Sequence, residues 1–269
     1  CSVRRQRQMC IRDRHKSHKK ICDKNKKMNY LNHKENSMKI LRNMLLTTIL
    51  SFTAFTYSDV AEVYQWKAFP GKSAEMMESM ERAAEIHRKQ GAHVSIDAHN
   101  VGSTQLVNYV LRWDDGASYA ATKDAQTNSE EWVEFWAESS ANPSGEMMAS
   151  FQGANIDQSV MASDFDGSYV YSVAVWEVQP GKALELIQRF QTAEKILEDA
   201  GARVEIYQGG WGSVNEFHYV LMYENWAALN ESFTKMGPGS DWAEYMASSA
   251  QQEIISTQTA FFTAQTMGQ

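Results

Sequence analysis

Cysteine is missing from the part of this chain that can fold. All three, Cys1, Cys10 and Cys22, lie near the start, so the rest carries neither a thiol nucleophile nor a disulfide framework. Positive charge is nearly as scarce beyond residue 58, with 12 Lys and Arg against 30 Asp and Glu. That excess excludes nucleic acid and anionic membrane as natural partners, because neutralising phosphates takes cations. It suits a solvated, soluble surface instead. A membrane span is missing as well: Met44 to Phe55 is an apolar run of only twelve residues, where a bilayer needs about 20. No GxSxG, HExxH, CxxC or P-loop pattern occurs, and Gly209-Gly210-Trp211-Gly212 joins two predicted strands, which makes it a hairpin and not a phosphate cradle.

What is present divides sharply. Residues 1–58 hold 14 Lys and Arg against 3 Asp and Glu. Cys1 to Arg14 resembles translated sequencing-adapter text, so residues 1–37 are expected to be a non-native or disordered basic leader. The alternative, a basic nucleic-acid-binding arm, lacks interleaved aromatics before Tyr30. Residues 38–58 have the layout of a signal peptide: Lys39 and Arg42, the apolar run, then Thr56 and Ser58 before a cut at Asp59. This layout predicts a periplasmic or secreted protein, with an uncleaved N-terminal anchor as the alternative.

From Val63 to Phe151 the chain repeats itself at a fixed offset of 110 residues. Trp66 matches Trp176, Pro70-Gly71-Lys72 matches Pro180-Gly181-Lys182, Gly102-Ser103 matches Gly212-Ser213, and Trp132 matches Trp242. An ungapped offset through turns and apolar positions alike means two copies of one folding unit. Within a copy, strand alternation over 61–69, helical spacing over 73–90, two hairpin strands, a second helical region and a last strand give β-α-β-β-α-β. The predicted fold class is α+β: two ferredoxin-like units, 59–156 and 169–269, joined by a Ser/Asp/Gly-rich linker, 157–168. The second helical region of the second copy is expected to run from Trp226 to Ser249.

One strand parity is apolar (Trp66, Val94, Ile96, Tyr109, Leu111, Trp113) and belongs under the helices. The other carries Lys67, Asp97, Asn108 and Arg112 in the first copy and Arg203, Glu205, Tyr207 and His218 in the second. Such a polar face can meet water, form an internal network of opposite charges, or line a ligand cleft. His93 and His99 flank Asp97, but the second copy has no matching set, so no metal is expected. The tryptophans Trp132, Trp136, Trp226 and Trp242 fall on or beside the second helices, as core or lid.

A strand ending in Pro-Gly-Lys, followed by a helix with Glu75 or Glu185 in its first turn, resembles the dimeric α/β-barrel superfamily, which includes the antibiotic-biosynthesis monooxygenase-like, EthD-like and NIPSNAP-like families. The resemblance implies an intramolecular barrel: a pseudo-dimer in one chain, with the polar parity inside. It further implies a small organic ligand in one asymmetric inter-unit cleft, for which Lys67, Asp97, Asn108, Arg112, Arg203, Tyr207 and His218 are the candidates. No cofactor is expected. The alternatives it raises are cofactor-independent oxygenation of an aromatic substrate by Asn108, Arg112 and His218, and haem bound through His218. The bland reading of His218 is a histidine bonded to Glu205.

Overall fold

In a computed structural model the residues described are 58–103 and 105–268. The leader at 1–37 and the signal segment up to residue 57 lie outside them. Each half opens with a long strand, β1 (Ser58–Ala68) or β5 (Val170–Val178), that turns through Pro-Gly-Lys into a 17-residue helix, α1 (Ser73–Lys89) or α4 (Ala183–Asp199). A hairpin follows, β2 (His93–His99) with β3 (Leu106–Asp115), or β6 (Arg203–Gly209) with β7 (Glu216–Tyr223). The second helical region is a pair of short helices in both halves: α2 (Gly116–Thr127) and α3 (Glu130–Ala141), then α5 (Trp226–Lys235) and α6 (Asp241–Ser249). The single run expected from Trp226 to Ser249 is broken at Gly237-Pro238-Gly239. Proline cannot donate to a helix ladder, Gly239 takes φ +86°, and Ser240 caps the new helix through Ala243 N. The halves end in β4 (Gly145–Asn155) and β8 (Ser256–Gly268).

The eight strands close into one antiparallel barrel, ordered β1-β3-β2-β8-β5-β7-β6-β4. Two seams join the halves. At one, β2 pairs with β8 (His99 opposite Ala264), and at the other β4 pairs with β6 (Asn155 opposite Tyr207). The matched glycines at the hairpin tips explain how the seams seal. A Cβ on Gly102 would lie 2.3 Å from the Phe261 carbonyl oxygen, and one on Gly212 would lie 2.4 Å from that of Ser150. Both glycines have φ above +80°, so each repeat needs glycine where its hairpin lies on the last strand of the other half.

Parity sorts the side chains as alternation requires. Val94, Ile96, Tyr109, Leu111 and Trp113 pack beneath α1–α3 with Met76, Met80, Ala84 and Phe135. Val204, Ile206, Phe217, Tyr219 and Leu221 pack beneath α4–α6 with Leu186, Phe190 and Leu197. The opposite parity faces the lumen. The linker is not a passive tether: its 3-10 turn (Ala162–Phe165) sends Phe165 into a core with Tyr171, Tyr207 and Met222.

Candidate functional site

Two interior spaces compete for a ligand, and the first is the lumen. There Asp97, almost wholly buried, accepts hydrogen bonds at Oδ2 from the Tyr171 hydroxyl (3.0 Å) and Ser95 Oγ (3.2 Å). Burial pushes its carboxyl up, and those hydroxyls pull it partly back. Asn108 Oδ1 accepts from Gln65 Nε2 (3.2 Å) and His99 Nε2 (2.9 Å), and His99 stacks on Phe262 at 4.3 Å. Nearer the linker, Arg112 donates to Asp59 Oδ2 at 2.9 Å and to the Tyr207 hydroxyl at 2.5 Å, while that hydroxyl donates to the same Asp59 oxygen. Phe165 lies against the guanidinium, 3.8 Å from its carbon.

The structure thus gathers Asp97, Asn108, Arg112, Tyr207 and His218 around one lumen. Lys67 and Arg203 fall outside its lining. Lys67 is half-buried at the end of β1, and Arg203 bonds Glu205 (2.7 Å) and lies over Phe165. Glu205 is not the partner of His218. It accepts from Asn155 Nδ2 (2.5 Å) and Arg203, because the β6–β7 register sets His218 opposite Tyr207 and Glu205 opposite Val220. The carboxylate near His218 is Glu216, two residues back on the same strand, at 3.5 Å and without hydrogen-bond geometry. Phe151 covers the ring at 4.8 Å. The free volume left in the lumen is about 90 Å³. Ligand sites commonly run to roughly 300–1,000 Å³, so this lumen has no room for a macrocycle such as haem beside His218.

Burial lowers the His218 pKa from 6.5 to about 4. Between these values the unfolded chain binds a proton that the native one refuses, so stability present above pH 6.5 is lost as pH falls toward 4, by about 3 kcal/mol. Asp97 and Glu205, with raised pKa values, act in the opposite sense: their contribution is full at low pH and fades as pH rises. The histidine effect is therefore read by difference. His218→Asn, the residue its repeat carries at 108, is expected to flatten the fall in urea-unfolding free energy between pH 7 and 4. An equal fall in both proteins contradicts this.

The second space lies outside the barrel wall, between the sheet of the first half and helices α1 and α3. Its volume is about 590 Å³. Tyr64, Trp66, Tyr109 and Leu111 form its floor, Met76, Met80 and His87 one side, and Trp132, Phe135 and Trp136 the other. No Asp, Glu, Lys or Arg is in the lining. His87 is held on three sides: Nδ1 lies 2.7 Å from the Tyr109 hydroxyl, Nε2 lies 2.8 Å from Gln126 Nε2, and the Trp132 ring sits 4.5 Å away. Burial, helped by the charge of Lys123, lowers its pKa to about 4, so the ring is neutral. With both nitrogens engaged, His87 offers no lone pair to a metal. Among the described residues no cluster of three or more His, Cys, Asp or Glu could hold one.

The repeat makes this cavity's asymmetry explicit. Adding 110 to each number, Met80 becomes Phe190, His87 becomes Leu197 and Gln126 becomes Met236. Phe190 packs on Trp176, Phe217 and Tyr219 at 4.8–6.1 Å between ring centres, filling the place that stands open in the first half.

Residues 171–267 match the NIPSNAP family model. Among solved structures, a Fusobacterium nucleatum protein provisionally named a monooxygenase is similar at 12% identity, over 79% of this chain and 94% of that one, with a TM-score of 0.54. An anthrone oxidase-like protein is similar at 14% identity, over 80% and 93%, with a TM-score of 0.50. These likenesses show the fold, that of the dimeric α/β barrels. No curated protein matches it. Carrying both units in one chain, the protein closes its barrel without a second copy.

The sequence pointed at the lumen and passed over His87, Gln126 and Met80. Helical periodicity places them on the apolar face of α1 or at the end of α2 but is blind to whether that face is filled. The available signal was the exchange of His87 for Leu197 between copies. Asp59, the residue beside a proposed cleavage point, was also passed over as a buried partner of Arg112.

Proposed function

We propose that the protein binds a small, planar, uncharged aromatic molecule in the cavity beneath α1 and α3 of its first half, with the lumen network as the rigid frame of the barrel. The observation that carries this reading is the pairing of a ligand-sized, charge-free aromatic cavity there with a lumen of about 90 Å³. Trp132 and Trp136 line the cavity and report occupancy directly. Titration with fluorenone should quench tryptophan fluorescence saturably, and quenching that never saturates opposes the reading. Export belongs to the same proposal, supported by the signal-like pattern at 38–58, and is tested by whether the exported chain begins at Asp59.

A second reading, oxygenation of the bound aromatic without a resident cofactor, is favoured by the names of the two similar structures. Oxygen consumption with a dihydroxyanthracene that is lost on blocking the cavity supports it. Consumption unchanged by blocking removes it.

A further inference from the structure

Tyr109 ends a chain of hydrogen bonds whose directions the chemistry of the donors sets. The Gln126 amide nitrogen faces His87 Nε2 at 2.8 Å, and an amide nitrogen only donates, so Nε2 accepts and the proton of the ring sits on Nδ1. Nδ1, 2.7 Å from the Tyr109 hydroxyl, is therefore the donor to that oxygen. The phenolic oxygen is thus occupied as an acceptor, and among the described residues no hydrogen bond takes its own proton, on a side chain that forms the cavity floor.

The second half shows the alternative. There Leu197 and Met236 stand in for His87 and Gln126, and the Tyr219 hydroxyl donates to the Phe190 carbonyl at 3.3 Å. Its proton is consumed within the fold. We infer that the Tyr109 hydroxyl donates to an oxygen acceptor on the ligand, so that the cavity selects planar aromatic carbonyl compounds over hydrocarbons of the same shape. His87 and Gln126 are positioning residues that fix the direction of this donor. The inference rests on the proposed binding at this cavity and adds the ligand's chemical class.

Fluorenone and fluorene share one skeleton and differ in the carbonyl, which makes them the probes. The wild-type protein is expected to bind fluorenone about tenfold more tightly, the discrimination of one well-made buried hydrogen bond. Tyr109→Phe should bring the two affinities within about twofold by weakening fluorenone alone. The carbonyl stretch of bound fluorenone should also lie at lower frequency in the wild type than in the variant. Equal affinities in the wild type, or a preference that survives Tyr109→Phe, overturn the inference while leaving the cavity reading intact. Binding of neither probe overturns the cavity reading itself. Should Tyr109→Phe not fold, the wild-type stretch compared with fluorenone in a hydrocarbon solvent decides: a lowered frequency supports the donor, an unshifted one removes it.

Discussion

Arg112→Met is expected to cost the fold about 3–5 kcal/mol, the usual penalty for orphaning one partner of a buried ion pair. Methionine is what the repeat itself places at the equivalent position, 222, so the new side chain suits a lumen of this shape. The cost comes from Asp59. Its side chain has no solvent exposure, its Oδ1 has no hydrogen-bond partner among the described residues, and its Oδ2 depends on Arg112 and Tyr207. With the guanidinium gone, the carboxylate must stay charged and unpaired or take up a proton. The clamp also joins β1, β3, β6 and the linker through Phe165, so its loss loosens one end of the barrel. For a folded region of this size the melting temperature should fall by roughly 6–20 °C. Combining the change with Asp59→Asn removes both charges and should restore more than half of the loss. Urea unfolding measures each free energy, and a single variant within about 1 kcal/mol of the wild type would mean the pair holds nothing together.

The second large effect is on binding. Met80→Phe with His87→Leu rewrites the first-half cavity in the residues of the second half. The phenylalanine ring fills the space as Phe190 does, and leucine removes the support of Tyr109. The Tyr109 hydroxyl is not stranded, because the backbone carbonyl of residue 80 is available as that of Phe190 is to Tyr219. Fluorenone affinity should therefore drop by at least about tenfold, a loss of about 1.4 kcal/mol or more. Stability should hold within about 1 kcal/mol or rise, since the exchange fills a cavity and removes a buried polar ring. Unchanged affinity in a folded double variant would place the ligand elsewhere.

Those two cases mark what the sequence disclosed and what it withheld. The 110-residue offset and the two strand parities were enough for two like units with one face of each sheet under its helices, because alternation binds each side chain to one face, while closure into a barrel was expected from the resemblance. Parity put Asp97, Asn108, Arg112, Tyr207 and His218 on one face, and the barrel that the resemblance implied put that face inside. Volume followed from neither. Periodicity records which residues face inward, not how much space remains between them, and Met80 and Phe190 satisfy the same apolar pattern. The partner of His218 was misread for a related reason: charge type suggested Glu205, but strand register, invisible without the pairing, gave Glu205 to Asn155 and Arg203. The linker's Phe165 looked like one apolar residue in a polar connector until its ring was seen against Arg112.

Where the ligand sits is decided most directly by a crystal soaked with 2-bromofluorenone, read from the bromine anomalous signal. The predicted peak lies between Tyr109 and Trp132, under α1 and α3. A peak inside the barrel beside Phe151 and His218, with the outer cavity empty, would contradict the assignment.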